Sequence, residues 1–275
     1  MGALEYEPEK QDSSLAGEFL NLDGLAENSR QILNEEGSLE AVNTLLRLSG
    51  SSGGARPKIL CQVRRNDLSV KAQASEPGYD PWLIKFRARE DPPETGLMEY
   101  LYSLAAKKAG LDMPDTALFP SKISEGYFGA KRFDRANEAK IHAHTACGLL
   151  HASHRWPSLS YEGLIRLTHL LTKDNRETEK MIRLMIFNVK AGNKDDHSKN
   201  FSFLINEEKR WKMAPAYDLT PSGGFGGEHS TTVNGKGRDI TDADLAAAAQ
   251  GYISEAKAKE MIGEVTEALS KFQIL

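Results

Sequence analysis

The first half of the chain alternates between the two spacings of apolar residues that mark helices and strands. A 3.6-residue spacing predicts a helix near 23–34 and a second helix that follows the possible cap Ser38 and ends at Leu48. The leucines between 97 and 104 recur at the same helical spacing. Apolar runs bounded by turn-forming residues predict strands at 59–63, 82–86 and 127–135. We therefore expect strands and helices to mix in this half.

The second half differs, because helical spacing dominates after Arg135. One predicted hairpin interrupts it, with strands at 201–205 and 211–214. Residues 221–237, after the hairpin, are rich in glycine and polar side chains and predict a long loop. The helices of this half are predicted at 161–171, 177–190, 241–250 and 254–272.

The composition favours a soluble enzyme over a membrane or nucleic-acid-binding protein. The chain has 275 residues, of which 40% are hydrophobic and 27% charged, which suits a soluble enzyme with a substantial core. A net charge of -4 gives no basic field for nucleic acid, and no apolar run is long enough to span a membrane. Two cysteines, Cys61 and Cys147, favour a reducing compartment over a disulfide framework. We expect a cytoplasmic protein without a membrane partner.

Three side chains between 195 and 218 have the spacing of the working parts of a phosphotransferase. Kinases use an aspartate to orient and deprotonate the attacking hydroxyl, and an asparagine with a second aspartate to hold Mg²⁺ against ATP. In protein kinases the first aspartate and the asparagine stand five positions apart, as Asp195 and Asn200 do. Asp218 follows after the predicted hairpin. Asp and Asn also occur in ordinary turns, so the combination of all three carries the prediction.

Two alternatives remain open at this level. One is a lipid or small-molecule kinase. The residues Asp195, His197 and Asn200 also satisfy the D-x-H-x-x-N pattern of lipid kinases, although an acidic chain without a basic amphipathic helix argues against a membrane substrate. A catalytically silent binding module is the other alternative. The five-position spacing selects Asp195 as the base, and Asp196 is expected to face solvent or the surroundings of the substrate hydroxyl.

Two features ahead of this motif suit phosphate binding. Residues 48–58 form a Gly/Ser-rich segment whose backbone N–H groups could approach an anion, with a flexible hairpin as the alternative. Lys85 lies in an apolar run, where an ammonium group is costly without an anionic partner. Glu99 on the following helix could pair with it, as a strand lysine and a helix glutamate do in kinases. A surface lysine and a solvated glutamate are the alternative.

Other chemically notable residues are expected to be structural. Five potential metal ligands lack the spacing of a zinc site, so we expect them on a structural or substrate-facing helix. They are His142, His144, Cys147, His151 and His154. The three tryptophans are expected to pack in the core or at a junction: Trp82, Trp156 and Trp211. Asp134 and Arg135 are expected to pair with each other.

The order of these motifs resembles that of HipA-type serine/threonine kinases, the toxins of bacterial toxin–antitoxin modules. The matching blocks are 51–58, 84–86, 99–100, 131–135, 195–201 and 217–219. The resemblance implies an α+β, two-lobed protein-kinase-like fold, with a β-containing lobe at 1–133 and a mostly helical lobe at 134–275. In such a fold, residues 221–237 occupy the place of the activation segment.

The resemblance also assigns roles. Asp195 would be the catalytic aspartate with Lys199 beside it, and Asn200 and Asp218 would bind Mg²⁺. His197 and Lys199 would lie beside the phosphates. The residues that would bind ATP are Ser51, Ser52, Gly53, Gly54, Ala55, Lys58, Lys85, Glu99, Lys131, Phe133 and His197.

An off-switch is implied as well. In the family, a serine of the Gly-rich loop is autophosphorylated and the loop is ejected. Ser51 and Ser52 match that position here, with Ser49 as a rival. The switch is physically reasonable, because a phosphate adds nearly two negative charges to a loop that must cover the phosphates of ATP.

The resemblance finally implies partners. Substrates of the family are aminoacyl-tRNA synthetases, and the antitoxin is a helix-turn-helix protein of the HipB kind, so DNA contact would be indirect. Full-length members carry an N-terminal subdomain before the Gly-rich loop, whereas about fifty residues precede Ser51 here. We therefore expect the compact HipT-like form, in which a small HipS-like subunit supplies that subdomain. A shortened chain is the alternative.

Overall fold

The structure is a computed structural model that describes residue 3 and residues 17–49, 56–72, 76–136, 139–206 and 208–274. The candidate phosphate-binding residues Ser51, Ser52, Gly53, Gly54 and Ala55 therefore lie outside the described residues. The described part of the chain forms two compact units. The N-terminal unit comprises the described residues of 17–100 and 114–139, and the C-terminal unit comprises those of 101–113 and 140–274.

The N-terminal unit is built on an antiparallel sheet. Its elements are α1 (Leu22–Leu33), α2 (Leu39–Ser49), β1 (Lys58–Arg64), β2 (Val70–Lys71), β3 (Tyr79–Lys85), α3 (Thr95–Lys108), β4 (Thr116–Phe119), β5 (Tyr127–Lys131), β6 (Arg135–Ala136) and β7 (Ala139–Lys140). Five strands form one sheet in the order β2-β1-β3-β5-β4, and each neighbouring pair is antiparallel. The last residues of α3 and β7 belong to the C-terminal unit.

Alternation along β1 explains how this sheet forms its core. Ile59, Cys61 and Val63 are buried, and the residues between them are partly exposed. Burial raises the pKa of the Cys61 thiol to about 12, so this cysteine behaves as a small apolar side chain. Leu25 of α1 and Leu48 of α2 pack into the same core. The two early helices, predicted from the spacing of apolar residues, thus pack against this sheet.

The C-terminal unit is mostly helical. Its elements after α3 are β8 (Ala143–Thr145), α4 (Ala146–Leu149), β9 (Leu159–Ser160), α5 (Tyr161–Thr172), α6 (Asn175–Lys190), β10 (Ser202–Ile205), β11 (Trp211–Met213), β12 (Thr231–Thr232), α7 (Asp242–Ala248) and α8 (Glu255–Lys271). The predicted hairpin forms from β10 and β11, and β8 joins it as a third strand. β9 and β12 pair in parallel.

α6 is the central helix of this unit. From Met181 onward it is buried on most sides, with Ile182, Met185 and Phe187 among the buried residues. A helix that is apolar around most of its circumference must be enclosed by other elements, and α5 and α8 pack against it. No helix in the described ranges is both long and apolar enough to cross a membrane.

The prediction of helical structure directly after Arg135 is wrong. The chain there forms β6, β7 and β8 before the four-residue helix α4. Non-local pairing overrides the local pattern, because Thr145 and His144 pair with Ser202 and Phe203 of β10. The predicted histidine-bearing helix is accordingly a short edge strand with one helical turn behind it.

Asp80 is held by two cations at the surface of the N-terminal sheet. Arg65 donates to its two oxygens over 2.8 and 3.1 Å, and Lys131 Nζ lies 2.9 Å from Oδ2. Its side chain is 15% exposed. The hydrogen bonds from Arg65 and Lys131 lower the pKa of Asp80 to about 2. Folding therefore favours the ionised carboxylate.

Asp80→Asn should lower the free energy of unfolding by about 1 kcal/mol at neutral pH, because Arg65 is exposed and its pairing is screened. The native pKa lies below the unfolded value of about 3.9, so this stabilisation is present above about pH 4 and is lost as the pH falls toward 2. Urea unfolding at pH 7 and pH 3 measures it, with the exposed Glu90→Gln as control. An equal difference at both pH values would contradict the account.

Candidate active site

Lys85 and Glu99 form a nearly buried ion pair in the N-terminal unit. Lys85 ends β3, Glu99 lies in the first part of α3, and Nζ lies 2.5 Å from Oε1. Their side chains are 14% and 6% exposed. The ammonium nitrogen also lies 5.7 Å from the centre of the Phe128 ring, within cation–π range. The structure thus brings together the strand lysine and the helix glutamate that the sequence predicts as partners.

A second lysine lies across the sheet from this pair. The register of β1 and β3 sets Lys58 opposite Lys85. Like charges on directly opposed residues are destabilising unless they have counter-charges, and Glu99 supplies one for Lys85. Arg56, which follows the candidate phosphate-binding residues 51–55 in the sequence, forms a bidentate ion pair with Asp91 at 2.7 and 3.0 Å. The start of β1 is therefore anchored.

Lys131 and Phe133, two of the predicted ATP-binding residues, lie at the end of β5 and in the turn that follows it. Lys131 ends β5 with its ammonium on Asp80, which favours a role in the sheet. Phe133 is partly exposed in the turn after β5. Beside it, Asp134 accepts hydrogen bonds from Arg132 at 2.9 and 2.8 Å and from Arg135 at 3.0 Å. The expected pairing of Asp134 with Arg135 is confirmed.

The loop after α6 carries Asp195 and Asn200. Gly192, with φ 69°, follows the helix in the left-handed conformation that ends helices. The backbone carbonyl of Asp195 accepts hydrogen bonds from the Asn200 side-chain amide at 2.8 Å and from the His197 N–H at 2.9 Å. Because Asn200 Nδ2 is used in this way, the direction of its Oδ1 is set. Asp195 itself is exposed.

Asp196 behaves in the opposite way, and the prediction that it faces solvent or the substrate hydroxyl is wrong. Its side chain is completely buried. Tyr161 Oη donates to Oδ2 at 2.8 Å, and His229 Nδ1 lies 3.0 Å from the same atom. The Thr231 N–H donates to Oδ1 at 3.1 Å. A buried carboxylate needs several donors, and two distant segments, α5 and residues 229–231, supply them.

The hydrogen-bond network continues from Asp196 to Asp218. Asn188 Nδ2 donates to Tyr161 Oη at 2.9 Å, and Asn193 Nδ2 donates to Asn188 Oδ1 at 3.0 Å. Asn193 Nδ2 also donates to the backbone carbonyl of Asp218 at 3.0 Å. Burial and the charge of Asp196 raise the pKa of Tyr161 well above its usual value, so its hydroxyl stays protonated and can donate.

Tyr217 ties the Asp218 segment to the Asp195 loop a second time. Its hydroxyl donates to the Lys199 carbonyl at 2.6 Å and lies 2.6 Å from Ser202 Oγ. Burial raises the pKa of this phenol above its usual value, which keeps it a donor. Asp218 follows with φ 52°, a conformation uncommon outside glycine that concentrates at functional sites. Asp195, Asn200 and Asp218 thus lie on two segments tied together by hydrogen bonds.

These residues fit Mg²⁺ and phosphate. Within the described ranges, no three His, Cys, Asp or Glu side chains cluster as metal ligands. Mg²⁺ needs no such cluster, since it is commonly held by one or two carboxylates together with substrate phosphates and water. The Asn200 amide oxygen and the Asp218 carboxylate supply that chemistry. In addition, His197 Nδ1 is buried without a hydrogen-bond partner among the described residues, which is costly unless a ligand provides one.

The sequence prediction missed the residues of the buried network. They are Tyr161, Asn188, Asn193, His229 and Thr231. One signal was visible, since Asn188 is polar within the otherwise apolar buried run of α6. A polar side chain at such a position usually has a specific buried partner. Tyr161, His229 and Thr231 give no comparable signal, because their partners are distant in the sequence.

Comparison with known proteins now decides the family. The model of the HipA-like C-terminal domain matches residues 50–272. The chain belongs to the HipA-like C-terminal domain family. A Sinorhizobium fredii relative named "Putative kinase Y4mE" is 29% identical over 245 residues, covering 79% of this chain and 54% of its own. A second, "Putative kinase Y4dM", is 26% identical over 153 residues, covering 50% and 36%. The chain spans about half the length of these relatives or less.

The solved structure of a HipA protein shows the same fold. HipA of Shewanella oneidensis, in a complex with HipB and operator DNA, matches with a TM-score of 0.63 at 18% identity, covering 82% of this chain and 59% of that one. The Helicobacter pylori kinase CtkA matches with a TM-score of 0.48 at 14% identity, covering 82% and 92%. The predicted α+β kinase-like fold and HipA-type family are confirmed.

The HipA-like chain offers a matched pair of substitutions at adjacent positions. Asp196→Asn should lower the free energy of unfolding by about 2 kcal/mol, because the new amide must oppose at least one buried donor. Asp195→Asn, at the exposed neighbour, should change it by less than about 0.5 kcal/mol. Urea unfolding measures both, and hydrogen exchange should quicken around 193–201 and 229–233 in Asp196→Asn alone. Equal stability of the two variants would contradict the assigned burial.

Proposed function

We propose that this chain is a serine/threonine protein kinase that uses ATP and Mg²⁺. The observation that carries the proposal is the exposed Asp195 on a loop whose backbone is held by Asn200 and tied to the Asp218 segment. This arrangement has the parts of a phosphotransferase: a base that can reach a hydroxyl, with an amide and a carboxylate for a metal nearby in the sequence and the fold. Membership of the HipA-like family and the kinase names of the relatives support the same class.

Each residue has a proposed role. Asp195 would orient the serine or threonine hydroxyl of the substrate and accept its proton as the hydroxyl oxygen bonds to the γ-phosphorus. The bond to the bridging oxygen would break at the same centre and release ADP. Asn200 and Asp218 would hold Mg²⁺, which when bound neutralises phosphate charge. His197 and Lys199 would donate to the phosphates.

In the N-terminal unit, Lys85 would bind the phosphates of ATP. Its pairing with Glu99 fixes the ammonium group in a nearly buried place, so little side-chain entropy is lost on binding. Lys58, opposite Lys85 in the sheet, would add a second cation. We propose that residues 51–55 contribute to ATP binding and that phosphorylation of Ser51 or Ser52 switches the enzyme off by adding negative charge.

We further propose that the kinase is the toxin of a toxin–antitoxin module in the cytoplasm. It would inhibit translation by phosphorylating an aminoacyl-tRNA synthetase, and a helix-turn-helix antitoxin would bind it and make any DNA contact. A HipS-like small subunit would supply an N-terminal subdomain. The family and the HipB-bound state of the Shewanella relative support this proposal.

Expression in a bacterial host should arrest growth, and Asp195→Asn should relieve the arrest, because the variant folds but has no base at position 195. Colony counts and growth curves after induction measure this. Glu208→Gln, an exposed carboxylate in the turn after β10, is the matched control and should remain toxic. If Asp195→Asn arrests growth as strongly as the parent chain, toxicity does not depend on phosphoryl transfer.

Incubation of the purified protein with Mg²⁺ and ATP should place a single phosphate on Ser51 or Ser52, because these serines match the position that is autophosphorylated in the HipA-type kinases. Intact mass and phosphopeptide mapping detect it, and Asp218→Asn should remain unmodified. A protein that binds ATP but transfers no phosphate to itself or to added proteins would instead be a silent binding module.

A further inference from the structure

The C-terminal unit has a cavity of about 290 Å³ that opens beside the exposed Asp195. Two segments form its walls. One is the turn that contains Arg155 and Trp156, and the other is the turn that contains Gly224 and Phe225. Neither segment belongs to the proposed metal or phosphate site. Because Asp195 is shared, whatever occupies the cavity lies next to the proposed base.

The first wall is fixed to the catalytic loop. Ser153 Oγ accepts hydrogen bonds from the Arg155 N–H at 3.1 Å and the Trp156 N–H at 3.3 Å, which shapes the turn. The carbonyl of the same serine accepts a hydrogen bond from Ser198 Oγ at 3.0 Å. Ser198 is buried three positions after Asp195. The turn that presents Trp156 is therefore held at a set distance from the base.

The second wall is fixed to the residue before the base. A Cβ at Gly224 would lie 2.7 Å from Lys194 Cβ and 2.1 Å from the Glu228 carbonyl oxygen, and its φ is 63°. Only glycine fits such a close approach in that conformation. Six residues after Gly224, the Ser230 N–H donates to the Lys194 carbonyl at 3.0 Å. The Phe225 turn is thereby packed on the catalytic loop from the other side.

The two walls meet through exposed aromatic rings. Trp156 is 68% exposed and Phe225 is 77% exposed, and their ring centres are 6.3 Å apart in an edge-to-face arrangement. The expectation that Trp156 packs in the core or at a junction is wrong. Large aromatic side chains that remain exposed on fixed turns are typical of binding surfaces, where they supply contact area at low entropic cost.

Cationic side chains lie around the cavity, beside the Asp195 carboxylate. Arg155 lines it and is exposed. The pKa of His154, the preceding residue, is lowered by desolvation and by its neighbours Lys199, Arg155 and His197. A positive field beside the base favours a substrate with a negative charge near its reacting hydroxyl.

We propose that this cavity is the docking site of a polypeptide substrate, in which Trp156 and Phe225 contact an apolar side chain next to the phosphorylated serine or threonine and Arg155 pairs with a nearby acidic residue. The inference rests on the proposed kinase function and specifies its substrate. A small-molecule acceptor would favour an enclosed pocket with several convergent polar groups. An exposed aromatic pair with a single arginine suits an extended peptide chain instead.

A synthetic peptide library tests the proposal, with serine or threonine fixed at the centre and degenerate flanking positions. The parent chain with Mg²⁺ and ATP should select apolar and acidic residues near the centre. Trp156→Ala and Phe225→Ala should lose the apolar preference and raise the KM for the best peptide about tenfold, a loss of about 1.4 kcal/mol. Arg155→Gln should lose the acidic preference alone. Trp156→Phe should retain most of the apolar preference.

Leu170→Ala is the matched control, because Leu170 is 60% exposed on α5 and does not line the cavity. It should keep the full selectivity. Calorimetric binding of Mg²⁺ and ATP to each preparation shows that the variants are folded. Unchanged selectivity in Trp156→Ala and Phe225→Ala, or a parent chain without flanking preference, would overturn the docking site and leave the kinase standing. A parent chain that phosphorylates no peptide and no protein would overturn the kinase itself.

Discussion

A carboxylate removed from water organises the working part of this protein. Asp196 is fully buried, and its charge is tolerated because Tyr161 of α5 approaches it from one segment and His229 and the Thr231 N–H approach it from a second. An unpaired charge in that place would cost several kcal/mol, so the segments cannot drift apart independently. The network reaches Asp218 through Asn188 and Asn193. The proposed metal ligand and the proposed base are therefore positioned by one interaction.

The two adjacent aspartates have different environments and different proposed roles. Asp195 is exposed at the surface, whereas Asp196 is enclosed and fixes the backbone that carries Asp195. The N-terminal unit has a similar arrangement. There the Glu99 carboxylate pairs with Lys85 in a nearly buried place, where an unpaired charge would be destabilising. In both places, a group proposed for chemistry is supported by a neighbour that is removed from solvent.

Much of this could be predicted from the sequence, for identifiable reasons. The spacing of apolar residues predicted α5, α6 and α8, because each of these helices buries at least one continuous apolar face. The pairing of Lys85 with Glu99 was predictable because an ammonium group in an apolar strand requires a counter-charge. The predictions that failed concerned contacts between residues far apart in the sequence. Nothing in the sequence shows which of two adjacent aspartates turns inward, since the donors to Asp196 lie about 35 positions away on either side. The exposure of Trp156 depends likewise on how its turn is fastened to Ser198.

The central claim is that Asn200 and Asp218 bind the metal while Asp195 remains available to the substrate and Asp196 stays structural. A crystal structure of the protein with Mg²⁺ and a non-hydrolysable ATP analogue tests it most directly. The account predicts Mg²⁺ coordinated by Asn200 Oδ1 and an Asp218 carboxylate oxygen, with Asp196 still bound to Tyr161 and His229. A metal ion bound by Asp196, or nucleotide bound without contact to Asn200 and Asp218, would contradict it.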